Sequence, residues 1–200
     1  MEPLHNAGGG KMINRPHYVG IAGATSGNGF TNQNRMQRNC CNCCGSVTGG
    51  GQIAGGGVLL PNHSLNFAGV LDGTSTTLLV SECSNFIYDT NGKKRAQVNS
   101  NHGWMMGTDA RQKIWDGAPN QMYWRVYNCT TIRYPINAQA LGTPGVGNND
   151  GPNNGIYSPH PGGAQAVLVD GSVQFLNDSI DMFTLRILAT RDDGEAVSDY

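Results

Sequence analysis

Charge is scarce in this 200-residue chain: Asp, Glu, Lys and Arg together make up 14% of it, and glutamate occurs three times. Long surface helices laced with ion pairs are therefore not expected. The formal net charge is −1 and the basic residues are scattered, so the basic stripe that grips nucleic acid is missing. The densest basic run, Lys93-Lys94-Arg95, adjoins Asn91-Gly92 and reads as the solvated tip of a hairpin. No run reaches the eighteen or so apolar residues of a membrane-spanning helix, and no charged-then-apolar leader precedes a small-residue cleavage site. Catalytic signatures are missing as well: there is no nucleophile elbow, Walker loop, His-Glu-x2-His helix, haem-attachment motif or dinucleotide-binding glycine fingerprint. The five histidines, at positions 5, 17, 63, 102 and 160, lie far apart. None has a spacing that sets it beside a Ser, Cys or carboxylate on one face. The expectation is a non-catalytic chain with no cofactor and no metal.

Glycine, with 29 residues, and asparagine are abundant, a composition that favours strands joined by tight loops. The length suits one domain with a real core. The expected fold is α+β, a mostly antiparallel sheet with long Gly/Asn-rich loops and a short C-terminal helix. Residues 1–16 read as a flexible, aperiodic N-terminal segment, and 17–200 as the globular part.

Six cysteines, Cys40, Cys41, Cys43, Cys44, Cys83 and Cys129, are an even number outside any catalytic motif. This predicts disulfides and an oxidising compartment. The Cys-Cys-Asn-Cys-Cys cluster also holds two overlapping Cys-x2-Cys spacings. A matching second pair for zinc is lacking, so disulfides are preferred to a metal, and thiols come third.

Along the chain, 17–22 reads as a strand, 25–57 as a loop that needs cross-links, and 58–60 as a short strand. Residues 77–83 are rich in leucine and β-branched residues and read as a central strand. Residues 86–88 extend it, Asn91-Gly92 is a hairpin turn, and 102–107 and 121–126 carry aromatic core residues. Glu82, at the strand's end, has two readings, a buried acid or a residue facing water, of which the second is the more ordinary. The 142–155 loop has oxygens enough for calcium, but only Asp150 brings a charge, so a plain loop is expected.

The richest stretch runs from Ser158 to Glu195. Residues 164–169 and 172–176 form a hairpin around Asp170-Gly171, read as a two-residue type I′ turn. Val169 then faces Ser172, Leu168 faces Val173 and Ala166 faces Phe175, which places one apolar patch on one side. A helix follows over about 182–191, capped by Ser179 or Asp181, with Met182, Leu185, Leu188 and Ala189 on one stripe and its end near Gly194.

His160, nine residues and then Asp170-Gly171 reproduce a His-x9-Asp-Gly signature. With its flanks, and with HYVGIAGA from His17 and FAGVLDGTSTTLLVSE from Phe67, the chain resembles the bacterial prepilin-type, processing-associated family of unknown function. That resemblance implies a pilin-like globular domain whose N-terminal basic leader and hydrophobic helix are missing from this sequence. An upstream helix would pack on the sheet, so a domain without it should keep an exposed apolar strip. The resemblance also implies a structural or assembly role in the cell envelope, in type II secretion or type IV pilus-like systems. The expected location is periplasmic, cell-surface or extracellular, and the expected partners are other pilin-like subunits or the export machinery, with any membrane anchor upstream. The alternative is a secreted hydrolase or ligand-binding module whose loop-built site uses Glu82, Asp72, Asp109 and a histidine. As for the signature itself, extended geometry sets His160 and Asp170 at opposite ends of a strand, which opposes a dyad. Asp170 is expected to serve the turn, and His160 to anchor the hairpin base through Asp178 or Asp181.

Overall fold

The structure, a computed structural model, describes residues 5–6, 12–13, 16–32, 38–39, 50–84, 86–89, 91–97, 128–138, 140, 142–147, 151–195, 197 and 200. In chain order the strands are β1 (His5–Asn6), β2 (Met12–Ile13), β3 (Tyr18–Ala24), β4 (Arg38–Asn39), β5 (Gln52–Ile53), β6 (Leu78–Glu82), β7 (Phe86–Tyr88), β8 (Lys94–Gln97), β9 (Cys129–Ile132), β10 (Gly163–Leu168) and β11 (Val173–Asn177). One α-helix, α1 (Met182–Leu188), closes the order.

Five of these strands form one sheet in the order β11-β10-β6-β3-β9, with β1-β2, β4-β5 and β7-β8 as separate two-stranded pairs. Leucine-rich β6 is central, as its composition suggests. Every neighbouring pair in the sheet is antiparallel except β3 and β9, which run parallel. The sheet is thus mixed rather than antiparallel throughout. A parallel neighbour needs a long crossover, and the stretch between β8 and β9 is long enough to supply one. The N-terminal segment, read as flexible, carries a paired element in which His5 faces Ile13 and Asn6 faces Met12.

Strand β3, Tyr-Val-Gly-Ile-Ala-Gly-Ala, is buried along nearly its whole length, and its small residues let another chain segment lie directly on it. The Gly57 amide donates to Ala22 O at 2.9 Å and the Leu59 amide to Ile21 O at 3.2 Å. Residues 58–60, read as a strand, contribute only the Leu59 bond and do not form one. A Cβ on Gly57 would sit 2.5 Å from the Ala22 carbonyl carbon, so this crossing requires glycine.

One side of the sheet packs on α1. Ile21, Leu78, Ala164, Ala166, Leu168 and Leu176 meet Leu185, Ile187, Leu188 and Ala189 there in the main core. The other side is covered over β3 and β9 by a smaller cluster of Ala22, Ile53, Leu60 and Cys129. The helix begins as the sequence indicates: Asp181 Oδ1 accepts from the Phe183 and Thr184 amides, both at 3.0 Å. It ends at Leu188, short of the expected Arg191. The Arg191 amide is drawn to Gly56 O and its carbonyl accepts from the Leu71 and Asp72 amides, so tertiary bonds stop the helix where propensity would continue it.

The hairpin register differs by one residue from the expected one. Val167 faces Val173, Gln165 faces Phe175 and Ala164 faces Leu176. The Gly171 amide donates to Leu168 O, the Leu168 amide donates to Ser172 O, and Gly171 has φ +87°. This is a three-residue loop closed by a left-handed glycine, not a two-residue type I′ turn. The shift flips every side chain. Leu168 and Ala166 remain in the core, while Val173 and Phe175 move to the opposite, open side.

Strands β7 and β8 form the hairpin expected around Asn91-Gly92, with the Gly92 amide donating to Asp89 O and Gly92 at φ +74°. Cys40, Cys41, Cys43, Cys44, Asp109, Asp150 and the aromatic stretches 102–107 and 121–126 lie outside the described residues.

Candidate functional site

The signature residues lead to the end of the central strand. Glu82 closes β6 where β6 and β10 part. Its carboxylate extends the ladder: Oε2 accepts from the Gln165 amide at 2.8 Å and from Ser158 Oγ at 2.8 Å. His160 Nε2 lies 3.1 Å from Oε1. Glu82 is buried, not facing water. A carboxylate out of water needs donors, and three converge on it.

His160 therefore meets Glu82 rather than Asp178 or Asp181. The cause is the path of the chain before β10. The Tyr157 amide donates to Glu82 O and the Ser84 amide to Tyr157 O, so residues 157–158 follow the end of β6 and leave β11 behind. Asp181 is committed to capping α1. At the far end of the hairpin, Asp170 Oδ1 accepts from the Ser172 amide at 2.8 Å and the Ser172 hydroxyl at 2.6 Å. These bonds hold the Asp170 carboxyl below the usual carboxylate range. Asp170 and Gly171 thus shape the turn, as expected, while His160 locks the hairpin base to the central strand.

Ser158, Glu82 and His160 are together, but not as a nucleophile with its base. The Ser158 hydroxyl donates to the carboxylate and accepts from the His160 backbone amide at 3.2 Å, and the imidazole nitrogen faces the carboxylate. Ser158 and Glu82 are buried. The Ser158 proton is thus held by the Glu82 carboxylate and not by the imidazole, which departs from the usual order of nucleophile, histidine base and orienting acid.

The Asp-Gly-Thr-Ser block forms a second junction at the other end of β6. Asp72 accepts from the Asp193 amide at 2.7 Å and the Gly194 amide at 2.9 Å. The Asp170 amide donates to Thr74 O and the Val169 amide to Thr77 O. Arg191 Nη1 donates to Gly55 O and Gly57 O. Segments far apart in the chain, 55–57, 72–77, 169–171 and 191–194, are tied together here. Asp72 and Glu82 therefore stand at opposite ends of one strand, each engaged by backbone amides, which sets these two acids of the alternative reading apart. Among the described residues no group of three or more His, Cys, Asp and Glu could hold a metal ion. Asn153 and Asn154 in the 142–155 loop turn their oxygens to the Gln52 and Gly147 amides.

Cys83 and Cys129 are both buried, while the four cysteines of the 40–44 cluster, their other expected partners, lie outside the described residues. Cys129 packs with Ala22, Ile53 and Leu60, and Cys83 with Val19, Ile87, Val146 and Tyr157, so each is enclosed by its own apolar cluster. Burial pushes the Cys129 thiol up to about 12.

The surface feature that stands out is the side of the sheet away from α1. Partners across strands share a face, so Gly20, Val80, Val167 and Val173 form one row across four strands, and Gln165 with Phe175 lies beside it. Over β3 this face is covered, Leu59 lying against Gly20. Toward β10 and β11 it opens: Val173 is 63% and Phe175 46% exposed. Next to it Val58, Leu65, Phe67, Val70, Leu79 and Val169 line a groove of about 120 Å³. Phe67, in its lining, and Leu71, the residue after Val70, are each 74% exposed. For Glu82 the structure bears out the less ordinary of the two readings, a buried acid; the signal was a lone glutamate closing an otherwise uncharged leucine-rich strand.

Residues 19–182 match the family model SBP_bac_10, described as protein of unknown function (DUF1559). The chain belongs to the DUF1559 family. The match runs from β3 to the first residue of α1; it takes in the Glu82 junction whole and the Asp72 junction except for residues 191–194. No curated protein and no solved structure matches the chain.

Proposed function

We propose that this DUF1559 chain is a non-catalytic structural or assembly domain of the bacterial cell envelope, a pilin-like or pseudopilin-like subunit of the prepilin-type, His-x9-Asp-Gly kind. Its place is the periplasm, the cell surface or the exterior. Its partners are other pilin-like subunits or machinery related to type II secretion and type IV pili. The observation that carries this reading is the open apolar face, with Val80, Val167, Val173 and Phe175 lying where an upstream apolar helix would pack. Exposed contiguous apolar surface marks a docking surface more often than a free one. The wiring of the signature agrees, because His160 and Asp170 serve the hairpin that carries half of that face. Among the described residues no helix is long and apolar enough to cross a membrane, so any anchor would come from elsewhere.

The test is the gene start together with N-terminal sequencing of the protein from its native cell. A short basic leader followed by one long apolar helix, cleaved at their junction, is the expected result. A conventional signal peptide with nothing apolar after the cleavage site would overturn the proposal and favour the secreted module.

A further inference from the structure

The two edges of the five-stranded sheet are treated differently by the chain. At the β9 edge the Thr131 amide donates to Pro152 O at 2.8 Å, Asn153 Nδ2 donates to Thr131 O at 3.1 Å, and the Gly155 amide donates to Thr130 Oγ1 at 2.8 Å. Residues 152–155 thus cover that edge. At the β11 edge no such cover exists among the described residues. The Leu168 amide donates to Ser172 O and the Asp178 amide to Gly162 O, so it is the even-numbered residues of β11 that bond to β10. The amides and carbonyls of Val173, Phe175 and Asn177 consequently point away from the sheet. Of these, the Asn177 carbonyl accepts from the Ile180 amide. For Val173 and Phe175 no backbone bond is made to any described residue beyond β11.

An open edge is a template for another strand, and proteins usually guard it with Lys, Pro, a bulge or a covering loop. Strand β11, Val-Gln-Phe-Leu-Asn, has none of these and no charge. We propose that this edge is a self-association surface, where β11 pairs antiparallel with β11 of a second copy about a two-fold axis at Phe175. The pattern is self-complementary. With Phe175 opposite its own copy, Val173 falls opposite Asn177 of the second copy, and every outward-pointing residue meets another outward-pointing residue. Ser172 falls opposite Asp178, so no like charges meet. A two-fold perpendicular to the sheet makes the interface isologous and joins the two open apolar faces on the same side of a ten-stranded sheet. The inference is independent of what docks on that face, since it uses the strand's edge.

The test uses the whole chain. Sedimentation equilibrium up to about 1 mM should show a reversible monomer–dimer equilibrium. Val173→Lys, at an exposed position, should weaken dimerisation at least about tenfold without moving the thermal midpoint. Residues directly opposite in a hydrogen-bonded antiparallel pair have Cα atoms about 5.5 Å apart, within disulfide range. Phe175→Cys should therefore link to itself under oxidation, with the bond mapped to the 175 peptide by mass spectrometry. Val173→Cys alone should not link to itself, but should link to Asn177→Cys when the two variants are mixed. A wild-type chain that stays monomeric throughout would overturn the proposal. So would a dimer that Val173→Lys leaves intact, or one in which Phe175→Cys forms no self-link.

Discussion

His160 Nε2 lies 3.1 Å from Oε1 of Glu82, so the histidine of the signature reaches across to the central strand instead of to the aspartate ten residues beyond it. The two partners are not equal. The His160 side chain is 54% exposed and contributes one bond, whereas buried Glu82 also receives the Ser158 hydroxyl and the Gln165 amide. Removing the carboxylate leaves buried donors without an acceptor, at a cost of about 2–4 kcal/mol; removing the half-exposed imidazole costs about 1 kcal/mol or less. Urea denaturation of Glu82→Ala and His160→Ala should show that order. Equal losses in the two variants would contradict the arrangement.

At the hairpin tip the aspartate and the glycine do different work. Asp170→Asn keeps the oxygen that accepts from the Ser172 amide and hydroxyl, so it should be almost silent in stability. Gly171→Ala meets no atom within 4 Å, but it places an alanine at φ +87°. The expected cost is about 1 kcal/mol, arising from backbone conformation alone. A Gly171→Ala variant as stable as the parent would mean that the loop can rearrange so that residue 171 leaves the left-handed region.

Much of this region was legible before the structure. Strand β10, the cap Asp181 and the turn role of Asp170-Gly171 all follow from local chemistry, which acts within a few residues. Loop length was not legible. Asp-Gly suits a two-residue turn and also the end of a three-residue one, and the choice rests on long-range bonds: the Val169 amide to Thr77 O and the Asp170 amide to Thr74 O. One residue of loop decided which face Val173 and Phe175 occupy. The Glu82–His160 pair was hidden for a similar reason. It is formed by the parallel approach of Tyr157 to Cys83, a contact between distant segments that no periodicity encodes. The parallel placement of β9 beside β3 is equally non-local.

The thiols give a chemical test of the core. Burial raises the Cys129 thiol to about 12, and Cys83 is fully buried. With thiolate as the reactive form, neither should be alkylated by iodoacetamide at pH 8 in the folded protein, and both should react once urea unfolds it. Peptide mapping would read this directly. Rapid native labelling of Cys129 would be incompatible with the cluster that encloses it.

Asp193 gives the fold a pH dependence of defined sign. Burial, reinforced by the neighbouring charges of Asp72, Glu195 and Asp192, pushes its carboxyl up to about 6 from 3.8, although the Glu195 amide donates to it and pulls the other way. The folded chain therefore keeps a proton over an interval where the unfolded chain has released it. The stabilisation from that proton is complete below about pH 4 and is lost as the pH rises through about 6. Because the group is only partly buried, solvent screening reduces the effect to about 1 kcal/mol or less. Asp193→Asn keeps the shape and removes the charge, so it should raise stability at pH 7 to 8 and leave it nearly unchanged at pH 4. The measurement is urea unfolding of both proteins across that range. A variant whose advantage is largest at pH 4 would reverse the sign and show that the Asp193 carboxylate is favoured, not disfavoured, where it meets Asp72.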